Sequence, residues 1–362
     1  MLLKDIYSKE FLESLAEAIV EVYPEFNQTK FVDDCLAADW EELKLMERSD
    51  RIVENLRRQF PDNFNKSAQI LKKIGPKFTG LAATCLPNYV AKFGLADWKE
   101  SMETLNLLTR YSSPEFAIRP FLVRYPQKTE QLLLQWSTDS DVDVRRLASE
   151  GIRPRLPWGI RLTAYTKNPE PIMPILDNLI FDESEYVQKS VANNLNDISK
   201  DNPQVVIEFV QKYWHQKESS DWVINRGVRT LFKAGQPDIL KLLGYDSQAV
   251  NKLKDISFTP EKQIANAGET TSSNYRFTSD SSRPIQLYLG YRVHYIRQNK
   301  TDSYKDFFIK RINLKPNVTI NGNLKIKWKQ LTTRKLYSGK HLIELLVNTQ
   351  VVAKAIVDFR VK

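Results

Sequence analysis

Arg146, Glu150 and Arg153 recur at spacings of four and three, which places two guanidinium groups and a carboxylate on one stripe of a helix. The stripe is rewritten further along as Lys189, Asn193 and Asn196 with Asp197 adjacent, and again as Asn225 and Arg229. Helices lying side by side with these sets would bring cations, amides and two carboxylates onto a shared face. Such a face is either solvated, with i,i+4 pairs such as Arg146 with Glu150 contributing ~0.3–0.5 kcal/mol each, or it meets a charged ligand. The helix holding Glu150 runs into Arg153-Pro-Arg-Leu-Pro-Trp-Gly-Ile-Arg161. There Pro154 and Pro157 stiffen the backbone and set Trp158 among Arg153, Arg155 and Arg161. A rigid loop with an indole amid guanidinium groups suits a phosphate backbone and a stacked base; the indole is equally suited to anchoring a core. Glu115, within Tyr111-Ser-Ser-Pro-Glu-Phe-Ala-Ile-Arg-Pro-Phe121, falls just inside an expected helix start, where a carboxylate is favoured by the helix dipole. It is either a cap or a third acid for the same face.

The elements that must position these groups are helical up to about residue 250, where apolar residues recur at three and four, as in Phe11, Leu15, Ile19 and Leu105, Leu108. Asp143–Ile152 aligns with Tyr186–Leu195 at an offset of 43, with Asp139 matching Asp182 in the preceding turn, and Tyr186–Leu195 aligns in turn with Trp222–Leu231 at an offset of 36. One stripe of each copy reads as core: Val144, Ala148, Ile152, then Val187, Val191, Leu195, then Val223, Gly227, Leu231. A period near 40 with paired helices predicts a mainly α architecture over residues 1–250, a HEAT-like helical-repeat solenoid whose inner helices line a concave surface. From Ile256 onward short β-branched and aromatic runs take over, in Gln286–Ile296, Leu324–Trp328 and His341–Val347, with Asn321-Gly322 as a turn signal. Alternation in Leu324-Lys-Ile-Lys-Trp-Lys puts Lys325, Lys327 and Lys329 on one strand face. Residues 255–362 thus predict a smaller all-β sandwich.

Composition bounds the chemistry. The 362 residues, 42% hydrophobic and 27% charged, suit two globular domains. The net charge of +9 is unevenly spread: residues 253–362 carry 20 Lys and Arg against 8 Asp and Glu, whereas residues 1–252 total −3. A basic last third makes polyanions plausible partners. Cys35 and Cys85 form no C-x-x-C pair, so neither a disulfide framework nor a zinc site is indicated, and a reducing cytoplasm fits. The histidines are His215, His294 and His341, so the first 214 residues supply none for nucleophilic catalysis or metal ligation. No secretory or membrane-spanning stretch occurs in the sequence. On the expected sandwich, Lys325, Lys327 and Lys329, with Arg334 and Lys335 in an expected hairpin, either grip phosphates across a duplex from the helical part or protect a strand edge from aggregation.

Ser113-Pro-Glu-Phe-Ala-Ile-Arg-Pro-Phe121, Arg145-Arg-Leu-Ala-Ser-Glu-Gly-Ile-Arg-Pro-Arg-Leu-Pro-Trp158 and Val191-Ala-Asn-Asn-Leu-Asn-Asp-Ile-Ser-Lys-Asp201 resemble the bacterial AlkC-type alkylpurine DNA glycosylases of the HEAT-like-repeat AlkC/AlkD superfamily. Some members carry a C-terminal immunoglobulin-like domain, which the β-rich segment resembles. The resemblance implies a monofunctional enzyme that excises cationic alkylated bases, chiefly 3-methyladenine, from double-stranded DNA without a metal or cofactor. It places Glu115, Glu150 and Asp197 around the lesion, Trp158 as an aromatic wall, and Arg146 and Arg153 at DNA. Arg155, Arg161, Lys189, Asn193 and Arg229 follow as looser DNA contacts from the stripe and loop. Because N3-alkylation makes the base a good leaving group, the protein must mainly stabilise a sugar gaining oxocarbenium character and orient a water, the task given to Asp197. Glu115 and Glu150 would favour the cationic base, and Trp158 would stack on it. A two-domain clamp of this kind needs no second subunit and would act as a cytoplasmic, nucleoid-associated monomer. A non-catalytic HEAT scaffold for nucleic acid or protein is the alternative, and it has no use for carboxylates facing a polyanion.

Overall fold

The computed structural model describes residues 2–37, 39–298, 302–330 and 335–361. They form two compact units, Met1–Val206 with Tyr213–Gly227, and Ile207–Lys212 with Val228–Lys362. The first is helical. In it the Val142–Gly151 helix packs on the Glu185–Ile198 helix, which packs on the Glu218–Gly227 helix, so the three copies seen in sequence are neighbours in order. Their matching turns are built alike: Asp139 accepts from the Asp141 amide at 2.8 Å and Asp182 from the Ser184 amide at 2.9 Å. All nine stripe residues expected in the core are buried. One expectation fails in the third copy. Its helix stops at Gly227, a poor helix residue, and Arg229 opens the separate Arg229–Lys233 helix, which belongs to the second unit.

Cys35 and Cys85 lie in the core of the first unit as free thiols. Burial pushes each up to about 12, which keeps them protonated and unreactive.

The second unit contains eight described strands: β1 (Leu253–Pro260), β2 (Ile264–Asn266), β3 (Thr270–Ser279), β4 (Ile285–Ile296), β5 (Asp302–Leu314), β6 (Thr319–Lys327), β7 (Gly339–Val347) and β8 (Gln350–Arg360). They form sheets of order β1-β3-β6 and β2-β8-β7-β4-β5, antiparallel except where β2 meets β8. Phe277, Leu287, Trp328, Val357 and Phe359 are fully buried in their shared core. The unit begins before the strands do, because Phe232 and Tyr245 pack edge-on to Tyr288, and Asn348 donates to the Asp246 carbonyl at 2.9 Å. The expected boundary near residue 250 marks where helix gives way to strand, not where this packing unit starts.

Asn321-Gly322 is no turn. Both residues sit inside β6, opposite Arg276 and Tyr275, and a Cβ on Gly322 would lie 2.2 Å from the Tyr275 ring. The glycine makes room for an aromatic, and the turn into β6 instead passes through Asn317 at φ 56°. Lys325, Lys327 and Lys329 are exposed while Leu324, Ile326 and Trp328 are buried. Lys329 follows the end of β6, a strand that pairs only with β3 among the described strands. Lys335 is exposed, and Arg334, with the hairpin expected there, lies outside the described residues.

On the outer face of β7, Glu344 is buried beneath Lys354, 3.3 Å from one carboxylate oxygen, and His294, 3.0 Å from the other. Burial acts to raise this carboxyl, but the hydrogen bonds to His294 and Lys354 outweigh it and hold Glu344 below the ordinary glutamate range. A carboxyl depressed by folding contributes stability above its unfolded value of about 4.3, and the contribution is lost as pH falls through the folded value. Glu344→Gln should therefore flatten the fall of the thermal midpoint between roughly pH 5 and pH 3. Calorimetry across that range is the measurement, and an unchanged acid slope would discount the cluster.

Candidate active site

The Val142–Gly151 helix starts cleanly because Asp141 accepts from the Asp143 amide at 2.9 Å, and this phase turns Arg146 and Glu150 to one side. The Glu185–Ile198 helix beside it brings Asp197 and Ser190 to the same region. Between them the charges alternate. Arg146 pairs with Glu115 and lies 3.5 Å from Glu150; Arg153 donates to Glu150 at 2.5 Å and to Asp197 at 2.8 and 2.9 Å; Lys200 donates to the other Asp197 oxygen at 3.1 Å. Ser113 donates to Glu115 at 2.6 Å, and Ser190 to Glu150 at 2.6 Å. Glu150, Arg153 and Asp197 are buried, whereas Lys200 is more than a third exposed.

Glu115, Arg146, Glu150 and Arg153 line a cleft of about 520 Å³ together with Trp158 and Tyr186. Trp158 is 64% exposed, so it anchors no core. Tyr186 lies under the Arg146 guanidinium at 4.8 Å. Burial opposes the charge of both arginines, yet the flanking carboxylates prevail and raise Arg146 and Arg153 above the ordinary arginine value. The arrangement is a self-neutralised, largely dry set of carboxylates whose oxygens are fixed before any ligand arrives, which is the condition for electrostatic preorganisation.

Several sequence expectations change here. Glu115 is not inside a helix start: it sits in the turn before the Arg119–Arg124 helix and caps nothing there. Each of the three carboxylates has a cationic partner within the network. Arg146 and Arg153, expected at DNA, are enclosed in the network. Arg155 pairs with Asp201 at 2.6 Å, Lys189 is exposed and pairs with Glu185 at 3.0 Å, Asn193 is half-buried, and Arg161 is exposed. Ser113, Tyr186, Ser190, Lys200 and Arg119 join the site without having been expected there, although Ser113 and Arg119 stand in the Ser113–Phe121 segment, Tyr186 and Ser190 in the Tyr186–Leu195 copy and Lys200 in the Val191–Asp201 segment.

Comparison with known proteins bears on this site. Residues 109–231 match a family model described as DNA alkylation repair enzyme, and residues 254–361 one described as Uncharacterised protein YhaZ, C-terminal Ig-like domain. An alkylpurine DNA glycosylase AlkC of Pseudomonas fluorescens, solved bound to DNA containing an abasic site analog, is 34% identical; the match covers 99% of this chain and 100% of that one, with a TM-score of 0.93. The chain belongs to the AlkC family. The YhaZ protein of Bacillus subtilis (strain 168) is 37% identical over 359 residues, 99% of each chain. For this AlkC-family member the repair-enzyme match contains the charged residues of the cleft, whose lining also takes in Gly80, Leu81 and Thr84 before it, and the Ig-like match starts within β1 and runs through β8. Alkylation-repair glycosylase chemistry follows as the family's activity, and no helix among the described residues is long and apolar enough to cross a membrane.

Proposed function

We propose that the chain is a monofunctional glycosylase that hydrolyses the N-glycosidic bond of cationic alkylated bases, chiefly 3-methyladenine, in duplex DNA, and so initiates base excision repair. The observation that carries this reading is the alternation of Glu115, Arg146, Glu150, Arg153 and Asp197 beside an exposed Trp158. An N3-methylated adenine is a cation, so its bond to C1′ breaks with the electron pair going to the base, which leaves neutral. Positive charge then grows on the sugar. Carboxylates held in place stabilise that charge, one of them accepts the proton of the attacking water, and the new bond joins the water oxygen to C1′. Trp158 offers a face for the base or deoxyribose. Glu115, the most accessible acid of the ladder, faces the base with Glu150, and Asp197 handles the water. Arg146 and Arg153 hold the acids, leaving Arg155, Arg161 and Lys189 nearer to phosphates. The helices act as a repeat solenoid cradling the duplex; the enzyme works as a monomer with no cofactor.

Incubating the protein with methylated duplex DNA and chromatographing the released bases tests the proposal. The expected product is 3-methyladenine, with little 7-methylguanine. Release of neither base, or comparable release of both, would overturn the stated specificity.

The exposed Lys325, Lys327 and Lys329 row is assigned to phosphates. Replacing all three by Ala should reduce the slope of log affinity against log salt by about 2.7, using roughly 0.9 per phosphate contact. A slope equal to wild type returns the row to edge protection.

A further inference from the structure

Arg119, the first residue of the Arg119–Arg124 helix, is fully buried. Its Nε donates to the Ile160 carbonyl at 2.7 Å, and its Nη1 donates to the carbonyls of Gly151 and Arg153, each at 2.8 Å. One guanidinium thus ties together both ends of the loop that presents Trp158. The remaining nitrogen, Nη2, is buried without a hydrogen-bond partner. Burial, reinforced by the neighbouring Arg153 charge, lowers this arginine to about 10 against the pull of Asp197, Glu150 and Glu115. A buried guanidinium with an unpaired nitrogen is a costly way to stabilise a fold.

What the clamp holds is unusual in itself. Trp158 has φ 64°, a left-handed conformation uncommon for a bulky residue, and still exposes most of its indole at the cleft. Such a backbone persists where surroundings over-determine it. Within the loop, Gly159 donates to the Leu156 carbonyl and Leu162 to the Pro154 carbonyl, each at 3.2 Å. Gly159 packs close to the clamp, since an added Cβ there would lie 3.2 Å from Arg119 Cδ and Nε. Gly151 and Arg153 flank the C-terminal end of the helix carrying Glu150, so the same guanidinium fixes the indole relative to the acids.

We infer that Arg119 is a positioning residue of the glycosylase reaction, holding Trp158 in its left-handed, cleft-facing pose through the Gly151, Arg153 and Ile160 carbonyls. This rests on the glycosylase reading for its kinetic consequence and on geometry alone for its structural one, and the test separates them. Full-length protein is labelled with 5-fluorotryptophan, the Trp158 ¹⁹F resonance being assigned by its loss in Trp158→Phe. In Arg119→Lys, which keeps a charge but loses the fork, the Trp158 resonance is expected to shift and broaden while the other indoles stay put. On methylated duplex DNA its kcat should fall at least about 10-fold with KM changed less than about threefold, the pattern of a lost transition-state contact. Gly159→Ala, which presses on the clamp without removing it, should move the same resonance in a smaller step and serves if Arg119→Lys does not fold. An unmoved Trp158 resonance in a folded variant overturns the clamp. A moved resonance with wild-type kcat overturns its catalytic role. Failure of wild-type protein to release any base sinks the glycosylase reading and leaves the resonance to decide the clamp.

Discussion

Asp197→Asn is expected to release methylated base roughly 10²–10⁴-fold more slowly than wild type, the usual contribution of a general base, while binding duplex DNA at least as tightly. The two oxygens of Asp197 are not equivalent. Oδ2 takes both Nε and Nη2 of the buried Arg153, and Oδ1 takes the Lys200 ammonium, whose side chain is 37% exposed. A surface ammonium exchanges readily with solvent, so Oδ1 is the oxygen able to trade its partner for a reactive water. The amide keeps one acceptor, which Arg153 claims, and turns an NH₂ toward Lys200. No site for the water's proton remains, and removing a negative charge near a polyanion does not weaken binding. A scaffold that merely holds DNA would lose nothing, so equal base release by mutant and wild type would remove Asp197 from the chemistry. Circular dichroism at the assay temperature separates lost catalysis from lost structure.

What the sequence made legible was whatever depends on local periodicity. Val144, Val187 and Val223 declared the core stripe because a helix repeats every 3.6 residues, and Lys325 and Lys327 declared the outward face of β6 because a strand repeats every two. Neighbouring helices also bring Glu150 and Asp197 to one region, as the adjacent stripes implied, although the position matching Glu150 is Asn193 and Asp197 lies beside the stripe. Contacts across 31 to 44 residues were hidden: Arg146 to Glu115, Arg153 to Asp197, and Arg119 to the loop carbonyls depend on how separate segments meet. Glu115 was misplaced because a turn and a helix start share the same Ser-Pro-Glu chemistry. Asn321-Gly322 misled for a related reason, since glycine serves equally for a turn and for making space, and only the position of Tyr275 decides between them.

Arg153→Met should destabilise the protein toward the lower end of about 3–5 kcal/mol, the cost of stranding buried charges by removing their partner. Arg153 is 8% exposed, and its partners Glu150 and Asp197 are 7% and 3% exposed, so solvent screens little of the interaction. The lower end applies because each acid keeps another contact: Ser190 and Arg146 for Glu150, Lys200 for Asp197. Methionine restores the volume but carries no donor, so packing loss is a minor part of the effect. Combining it with Asp197→Asn removes one of the stranded charges, and the double variant should be more stable than the sum of the singles implies by about 0.5–3 kcal/mol. Denaturant unfolding followed at 222 nm, where the helical unit dominates, gives all four corners of that cycle. Strict additivity would mean that Arg153 and Asp197 are not coupled, and the alternating ladder could then no longer be read as one preorganised unit.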